Sequence, residues 1–301
     1  MKIIESVPNF SEGRNEKIIE EIVQQAKSTG KVWVLDYSSD KDHNRSVVTL
    51  AGEPEDVLEA LFLMTKKASE LINLKNHHGE HPRMGATDVI PLIPILNSNV
   101  EDCIDVSNKL AEKIGNELNI PVYLYEKSAK ASYRKNLSNI RKGEFENFSE
   151  KIKLEEWKPD YGPDIVHETA GVTAVGCREP LIAFNVNLNT DNLKIAQNIA
   201  KSVRHISGGF RYVKALGFKL EEKGIVQISM NLTNYKKTPI HRVFEVIKNE
   251  AERYGVQIIA SEIIGLVPQR ALCEVAEHYL RIEKFNQDYV LENNILIKSN
   301  E

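Results

Sequence analysis

The chain has 301 residues, 42% of them hydrophobic and 27% charged, and a formal net charge of −4. That length is room for one large domain or two ordinary ones, and the apolar fraction supports a packed core, which excludes global disorder. A net negative charge excludes a globally basic nucleic-acid binder, because no general counterion-release contribution is available. Any anionic ligand then has to be held by individually placed arginines.

Ile3 to Val7 reads as a strand and runs into the turn Pro8-Asn9-Phe10-Ser11-Glu12-Gly13. Ile18, Ile19, Ile22, Val23 and Ala26 form a helical stripe. Val32–Leu35 and Ser46–Leu50 are rich in β-branched residues and predict two strands. Pro54-Glu55-Asp56 opens a second helix with proline and acids at its positive end, and its buried face is Val57, Leu61, Met64, Ala68 and Leu71. A strand within Thr87–Ile95 follows, then a helix with the stripe Cys103, Ser107, Leu110, Ile114 and Leu118. Val122–Tyr125 predicts a short strand, and 129–142 a polar helical stretch.

The second half repeats the order. Leu181–Leu188 predicts a strand, Ile195 to Val203 a helix, and Tyr212–Leu220 and Ile225–Leu232 adjacent strands around a Glu221-Glu222-Lys223-Gly224 turn. Thr238-Pro239 reads as an N-cap followed by an N1 proline, opening a helix that buries Ile240, Val243, Phe244, Ile247 and Ala251. Val256–Ala260 predicts a last strand and Ala271–Ile282 a last helix. Both halves read β-α-β-β-α-β, the split-βαβ pattern with helices on one face of a sheet. The expected fold is therefore α/β (α+β): two ferredoxin-like βαββαβ subdomains, 1–177 and 178–301, their sheets stacked face to face and helices outside. The linker is expected within about 155–178, where Trp157-Lys158-Pro159-Asp160-Tyr161-Gly162-Pro163 breaks any core element, and a ligand cleft between the halves follows.

Cys103, Cys177 and Cys273 are widely spaced with no CxxC pair, which argues against a disulfide framework or a cysteine-rich zinc site. The N-terminal MKIIESVPNFSEG lacks the apolar core of a signal peptide, and no 18-residue apolar run is present. A soluble, cytoplasmic protein is expected.

Chemistry concentrates in Asn76-His77-His78-Gly79-Glu80-His81-Pro82-Arg83-Met84-Gly85, which holds three of the eight histidines. One reading is a solvated loop. A second is metal, since His77-x-x-Glu80-His81 fits the inverted zincin pattern HxxEH. That motif needs a continuous helix, and Gly79 with Pro82 works against one. The third is a metal-free catalytic loop, in which a histidine that titrates near neutrality accepts and donates a proton in one turnover.

The motifs Pro8-Asn9-Phe10-Ser11-Glu12-Gly13, His78-Gly79-Glu80-His81-Pro82-Arg83-Met84-Gly85-Ala86, Pro121-Val122-Tyr123-Leu124-Tyr125 and Gly265-Leu266-Val267-Pro268 resemble those of the glutamate formimidoyltransferase (formiminotransferase) family. So do Leu181-Ile182-Ala183-Phe184-Asn185-Val186-Asn187-Leu188 and Asn231-Leu232. The resemblance runs in order from about Ile3 to Pro268 and is that of the stand-alone form, without the cyclodeaminase portion. It implies transfer of the formimino group of N-formimino-L-glutamate to N5 of tetrahydrofolate, in histidine degradation and one-carbon metabolism, and a homodimer. It places the catalytic histidine at His81 and the folate-contacting stretch at Gly162-Pro163-Asp164-Ile165-Val166-His167-Glu168-Thr169-Ala170-Gly171.

Tetrahydrofolate is then a co-substrate, with no metal, nucleic acid or membrane implied. Both substrates are polyanions, so Arg45, Arg83 and Arg178, the arginines nearest these motifs, are the candidate carboxylate holders. The alternatives are a related transferase using N-formylglutamate or 5-formyltetrahydrofolate, a zinc hydrolase using His77, Glu80 and His81, and a folate-binding protein without turnover.

Overall fold

The computed structural model describes residues 1–79, 82–293 and 295, and the chain divides into two compact units, Met1–Arg178 and Glu179–Glu301. In the first unit the elements are β1 (Ile3–Ser6), β2 (Asn9–Phe10), α1 (Glu16–Ser28), β3 (Trp33–Asp40), β4 (Arg45–Gly52), α2 (Pro54–Leu71), β5 (Thr87–Leu96), α3 (Val100–Leu118), β6 (Val122–Leu124), α4 (Leu137–Arg141), α5 (Glu144–Lys151) and β7 (Thr173–Cys177). β1 and β2 are two parts of one strand, each paired antiparallel with β4 on one side and β5 on the other. The break falls at Val7-Pro8, where proline has no N–H for the ladder. β3 flanks β4, which completes a ferredoxin-like antiparallel set.

β7 and β6 extend that set beyond β5, both parallel, as the crossover from β5 through α3 to β6 requires. The three long helices cover one face. Ile22 and Val23 of α1, Leu61 and Met64 of α2, and Leu110 and Ile114 of α3 pack with Ile4, Leu50, Ile90 and Val175.

Three expectations change here. The 155–178 segment is not a linker: it carries β7, fully buried between β5 and β6. The polar stretch 129–142 is not one helix. Only Leu137–Arg141 is α-helical, and Gly143, at φ +94, turns the chain into α5. Finally, helices are not confined to one face of this sheet: the opposite face is covered at its β5-β7-β6 end. Ile140 and Phe148, from α4 and α5, pack there with Val89, Tyr123, Tyr125 and Ala174.

The second unit contains β8 (Ile182–Leu188), α6 (Leu193–Val203), β9 (Val213–Leu220), β10 (Ile225–Leu232), α7 (Ile240–Arg253), β11 (Ile258–Ile264) and α8 (Gln269–Leu280). Its sheet order is β11-β8-β10-β9, antiparallel throughout, with the βαββαβ connectivity. Ile182, Phe184, Val186 and Leu188 alternate inward toward Ile199 of α6 and Val243 and Ile247 of α7. Pro239 is extended (ψ 154°) and serves as the N-cap, so α7 begins one residue later than the Thr238-Pro239 reading.

Candidate active site

The histidine-rich loop leaves α2 through a single turn of 3-10 helix, Leu74–Asn76, whose N-cap Asn73 accepts a hydrogen bond from Lys75 N. His77 is buried (6% exposed). Its Nε2–H donates to Asn44 O (2.8 Å), and its Nδ1 accepts from Arg83 Nε (3.0 Å). Burial pushes its pKa down, and the Arg83 charge adds to that against the opposing pull of the Asn44 carbonyl. The ring is a neutral structural hub. With both nitrogens engaged, it has no lone pair to give a zinc ion, so the HxxEH reading loses its first ligand. Glu80 and His81 lie outside the described residues.

Arg83, expected to hold a substrate carboxylate, is committed within the protein. Its side chain is 9% exposed. Nη1 donates to Glu146 Oε2 (2.9 Å) and Glu144 Oε2 (3.3 Å), while Nη2 donates to Glu146 Oε1 (2.6 Å) and His77 O (3.3 Å). With Nε on His77, all five N–H donors of the guanidinium are occupied. Phe145 N also donates to Arg83 O (2.9 Å). Arg83 therefore ties the loop to the start of α5, a positioning task that uses the carboxylate-matching fork of arginine.

Asn44 braces the loop from the opposite side. At φ +47 it sits in the left-handed region that asparagine tolerates better than most residues. Its Nδ2 donates to His78 O (3.0 Å), and its Oδ1 accepts from Gly13 N (2.9 Å). Ser11 adds two bonds, N to Ala86 O (2.9 Å) and Oγ to Gly85 O (2.7 Å). The loop glycines permit this contact. A Cβ on Gly79 would lie 2.4 Å from His43 O, and one on Gly85 would lie 2.1 Å from Val172 O.

The stretch Gly162–Gly171 packs within the first unit. Gly162, at φ +85, approaches Ile120 O, and Val166 packs on the cluster around Tyr123 and Phe148. His167 and Gly171 exchange backbone hydrogen bonds (3.2 and 3.0 Å) to form a tight turn. Inside it, His167 Nδ1 accepts from Ala170 N (3.1 Å) and Thr169 N (3.4 Å), and burial lowers the ring's pKa. Glu168 pairs with Lys75 (2.5 Å). The turn and Val172 directly after it are laced to the histidine loop by Leu74 N to Thr169 O (2.9 Å), Ala86 N to Ala170 O (2.8 Å) and Val172 N to Met84 O (2.9 Å). Asp164 and Ile165 (75% exposed) are left facing outward.

Arg45 heads β4 directly after Asn44, opposite Asp40 in register. Arg141, Asp40 and Asp88 are its charged neighbours. Its Nε is buried with no hydrogen-bond partner among the described residues. Asp40, whose carboxyl burial alone would raise, is held below the usual range by bonds from His43 and Asp42.

Arg178 is not brought to this cluster. Its N–H donates to Leu92 O, five residues along β5 from Thr87, roughly 17 Å from the loop end of the strand. Its side chain lies near Glu5 and Tyr125.

Sequence reasoning missed Asn44, Asp88, Arg141 and Glu146 as parts of this assembly. Asp88 is buried, ion-paired with Arg141 and bonded to Met84 N (2.8 Å). Of these, Asn44 alone carried a usable signal, a polar residue directly after His43 at a strand start. Two open depressions flank the loop. One of about 500 Å³ is lined by His77, His78, Gly79 and Glu146, and one of about 590 Å³ by Glu12, Arg14, Asn44 and Asn76.

Residues 3–178 match the family model described as the formiminotransferase domain, N-terminal subdomain, and residues 183–299 match that of the formiminotransferase domain. The chain is 53% identical over 296 residues to the glutamate formimidoyltransferase of Streptococcus pyogenes serotype M1, covering 98% of this chain and 99% of that one. It is 46% identical over 297 residues to the glutamate formimidoyltransferase of Thermoplasma acidophilum, covering 98% of each. With the formimidoyltransferase-cyclodeaminase of Rattus norvegicus the identity is 38% over 303 residues, covering 99% of this chain and 55% of that one.

Proposed function

The chain belongs to the formiminotransferase family, and from that membership we propose its reaction: transfer of the formimino group of N-formimino-L-glutamate to N5 of tetrahydrofolate, giving 5-formiminotetrahydrofolate and L-glutamate. The formimino carbon is electrophilic without metal assistance once its nitrogen is protonated. The N5 lone pair adds to it and forms the new C–N bond. The N5 proton is then removed, the glutamate nitrogen is protonated, and the old C–N bond breaks with its electron pair going to glutamate. One neutral-pKa acid/base serves both proton movements, and His81 is the residue assigned to them. Holding both substrates side by side supplies the remainder of the acceleration.

The observation that carries this reading is the lacing of the segment His167–Val172 to the described parts of the loop Leu74–Ala86 by three backbone hydrogen bonds. The stretch proposed to touch folate is thus held beside the described flanks of the loop to which His81 belongs. Arg45, with its unpartnered Nε, is the arginine of this cluster best placed to receive a carboxylate, while Arg83 positions the loop. Arg178 stands as a more distant carboxylate contact. A cytoplasmic homodimer belongs to the same reading. No described helix is long and apolar enough to cross a membrane.

The test is incubation with formiminoglutamate and tetrahydrofolate, following 5-formiminotetrahydrofolate, with N-formylglutamate as competing donor. Formimino transfer is expected to dominate. Preferred use of N-formylglutamate would replace the donor assignment. His81→Ala is expected to cut kcat by ~10²–10⁴-fold, and near-normal turnover would remove His81 from the mechanism.

A further inference from the structure

Two arginines of the first unit stand side by side without an anion to hold them there. Val48 and Leu50 of β4 pack toward α1 and α2, so alternation puts Arg45 on the opposite face of the sheet, the face on which α4 and α5 pack. Arg141 is the last residue of α4, and its charge acts on Arg45 together with those of Asp40 and Asp88. Neither carboxylate bonds Arg45. Asp40 accepts from Asp42 N, His43 N and His43 Nδ1, while Asp88 accepts from Met84 N and from Nε and Nη2 of Arg141.

The Arg45 guanidinium makes no hydrogen bond or ion pair among the described residues, and Arg141 Nη1 donates to none of them. Arg45 Nε is closed off from solvent, whereas Nη1 and Nη2 of Arg45 and Nη1 of Arg141 remain open to it. A guanidinium withdrawn from water, unpaired and set beside a second one, is unfavourable, and an anion placed between the two removes that cost. Both arginines are also tied to the histidine loop. Asn44, directly before Arg45, donates to His78 O (3.0 Å), and Asp88, which holds Arg141, accepts from Met84 N (2.8 Å). In the chain, His81 is midway between these two attachment points.

We propose that Arg45 and Arg141 together clamp a carboxylate of the formimino donor, with Asp88 as the residue that positions Arg141. One carboxylate between the two guanidiniums screens their repulsion and accepts from the open Nη groups of both. Formiminoglutamate has both carboxylates within about 6 Å of its formimino carbon, whereas those of the folate tail are on the order of 10 Å or more from N5, beyond the aminobenzoyl ring. A clamp tied to both flanks of the loop that carries the acid/base therefore suits the donor and not the folate tail.

The inference rests on the formimino-transfer reading and adds to it a second arginine, its holder and the identity of the anion; its test separates the two. Wild-type turnover is measured first, and failure there overturns the reaction. Calorimetric binding of L-glutamate, the released product, then still reports on the clamp. Arg45→Met keeps the aliphatic stem and removes no hydrogen bond to a described residue, so its urea midpoint should not fall. It is expected to raise KM for formiminoglutamate, and Kd for L-glutamate, by roughly 10- to 100-fold. KM for tetrahydrofolate, and Kd for 5-formyltetrahydrofolate, should stay within about twofold. Arg141→Lys keeps a cation for Asp88 but loses the planar fork; it should shift the same donor parameters and decides the matter if Arg45→Met does not fold. Unchanged donor parameters in a folded variant overturn the clamp, as does a parallel rise for both substrates, and a defect confined to tetrahydrofolate gives the arginines to the folate tail instead.

Discussion

Replacing Arg83 with methionine separates a positioning arginine from a substrate arginine. Methionine keeps most of the buried volume and removes all five donors. Glu146 and Glu144 are 56% and 45% exposed, so water screens their pairing with Arg83, and its loss costs no more than ~1 kcal/mol. The larger cost is on the other side, where His77 Nδ1 is left buried without a donor. A buried unsatisfied acceptor costs ~1–3 kcal/mol, and His77 O loses a partner as well, so the expected destabilisation is about 2–4 kcal/mol. Both tryptophans, Trp33 and Trp157, are in the first unit, so urea unfolding followed by tryptophan fluorescence reports on that unit. Turnover should fall because the loop that carries His81 loses its brace, with KM for the two substrates moving little and together. A variant within ~0.5 kcal/mol of wild type whose KM rises tenfold for one substrate alone would refute this account and make Arg83 a direct carboxylate contact.

The loop also predicts a pH dependence. His77 has its folded pKa below the ordinary 6.5, so the unfolded chain binds more protons in that window. Its contribution is therefore fully present above about pH 6.5 and is lost as the pH falls through the folded value. The urea midpoint measured from pH 7.5 down to 5 should drop, and His77→Gln should flatten that slope; an unchanged slope assigns it to other groups. Gly85→Ala sets a Cβ 2.1 Å from the backbone oxygen of Val172, neither of which yields easily, and should destabilise by at least ~1–3 kcal/mol. A melting temperature equal to wild type would contradict the close approach. Asp88→Asn breaks a pair whose side chains are 2% and 18% exposed, with an expected loss of about 3–5 kcal/mol by urea titration. A loss under 1 kcal/mol would show that Arg141 finds another partner.

Helices were the most legible part of the chain. The stripes Ile19-Ile22-Val23-Ala26 and Val57-Leu61-Met64-Ala68 are the buried faces of α1 and α2, because a 3.6-residue period is written in neighbouring residues. β7 was not legible. Thr173-Ala174-Val175-Gly176-Cys177 is short, built mainly from small residues and preceded by turns, and it is a strand because β5 and β6 pair with it on both sides. β2 was missed for a similar reason, since two residues make no alternation and only β4 and β5 define them as a strand.

The candidate site divides the same way. His81, the loop around it and the stretch Gly162–Gly171 are marked by local motifs, and backbone bonds at Thr169, Ala170 and the adjoining Val172 join the stretch to the described parts of the loop. The internal pairing of Arg83 is not legible in the sequence, because its carboxylate partners, Glu144 and Glu146, come more than sixty residues later in the chain.

By itself, the sequence determined the long helices and most of the longer strands in their order, and the chemical groups available: an imidazole-rich loop, scattered arginines and a weakly acidic chain that needs local cations for anions. Those properties belong to single residues or close neighbours. Only the tertiary structure decided which groups remain available. All five donors of Arg83 and both nitrogens of His77 are taken, while Arg45 Nε is buried with no partner among the described residues. A hydrogen-bonding group is silenced or exposed by partners distant in sequence, and folding alone brings those partners within 3 Å.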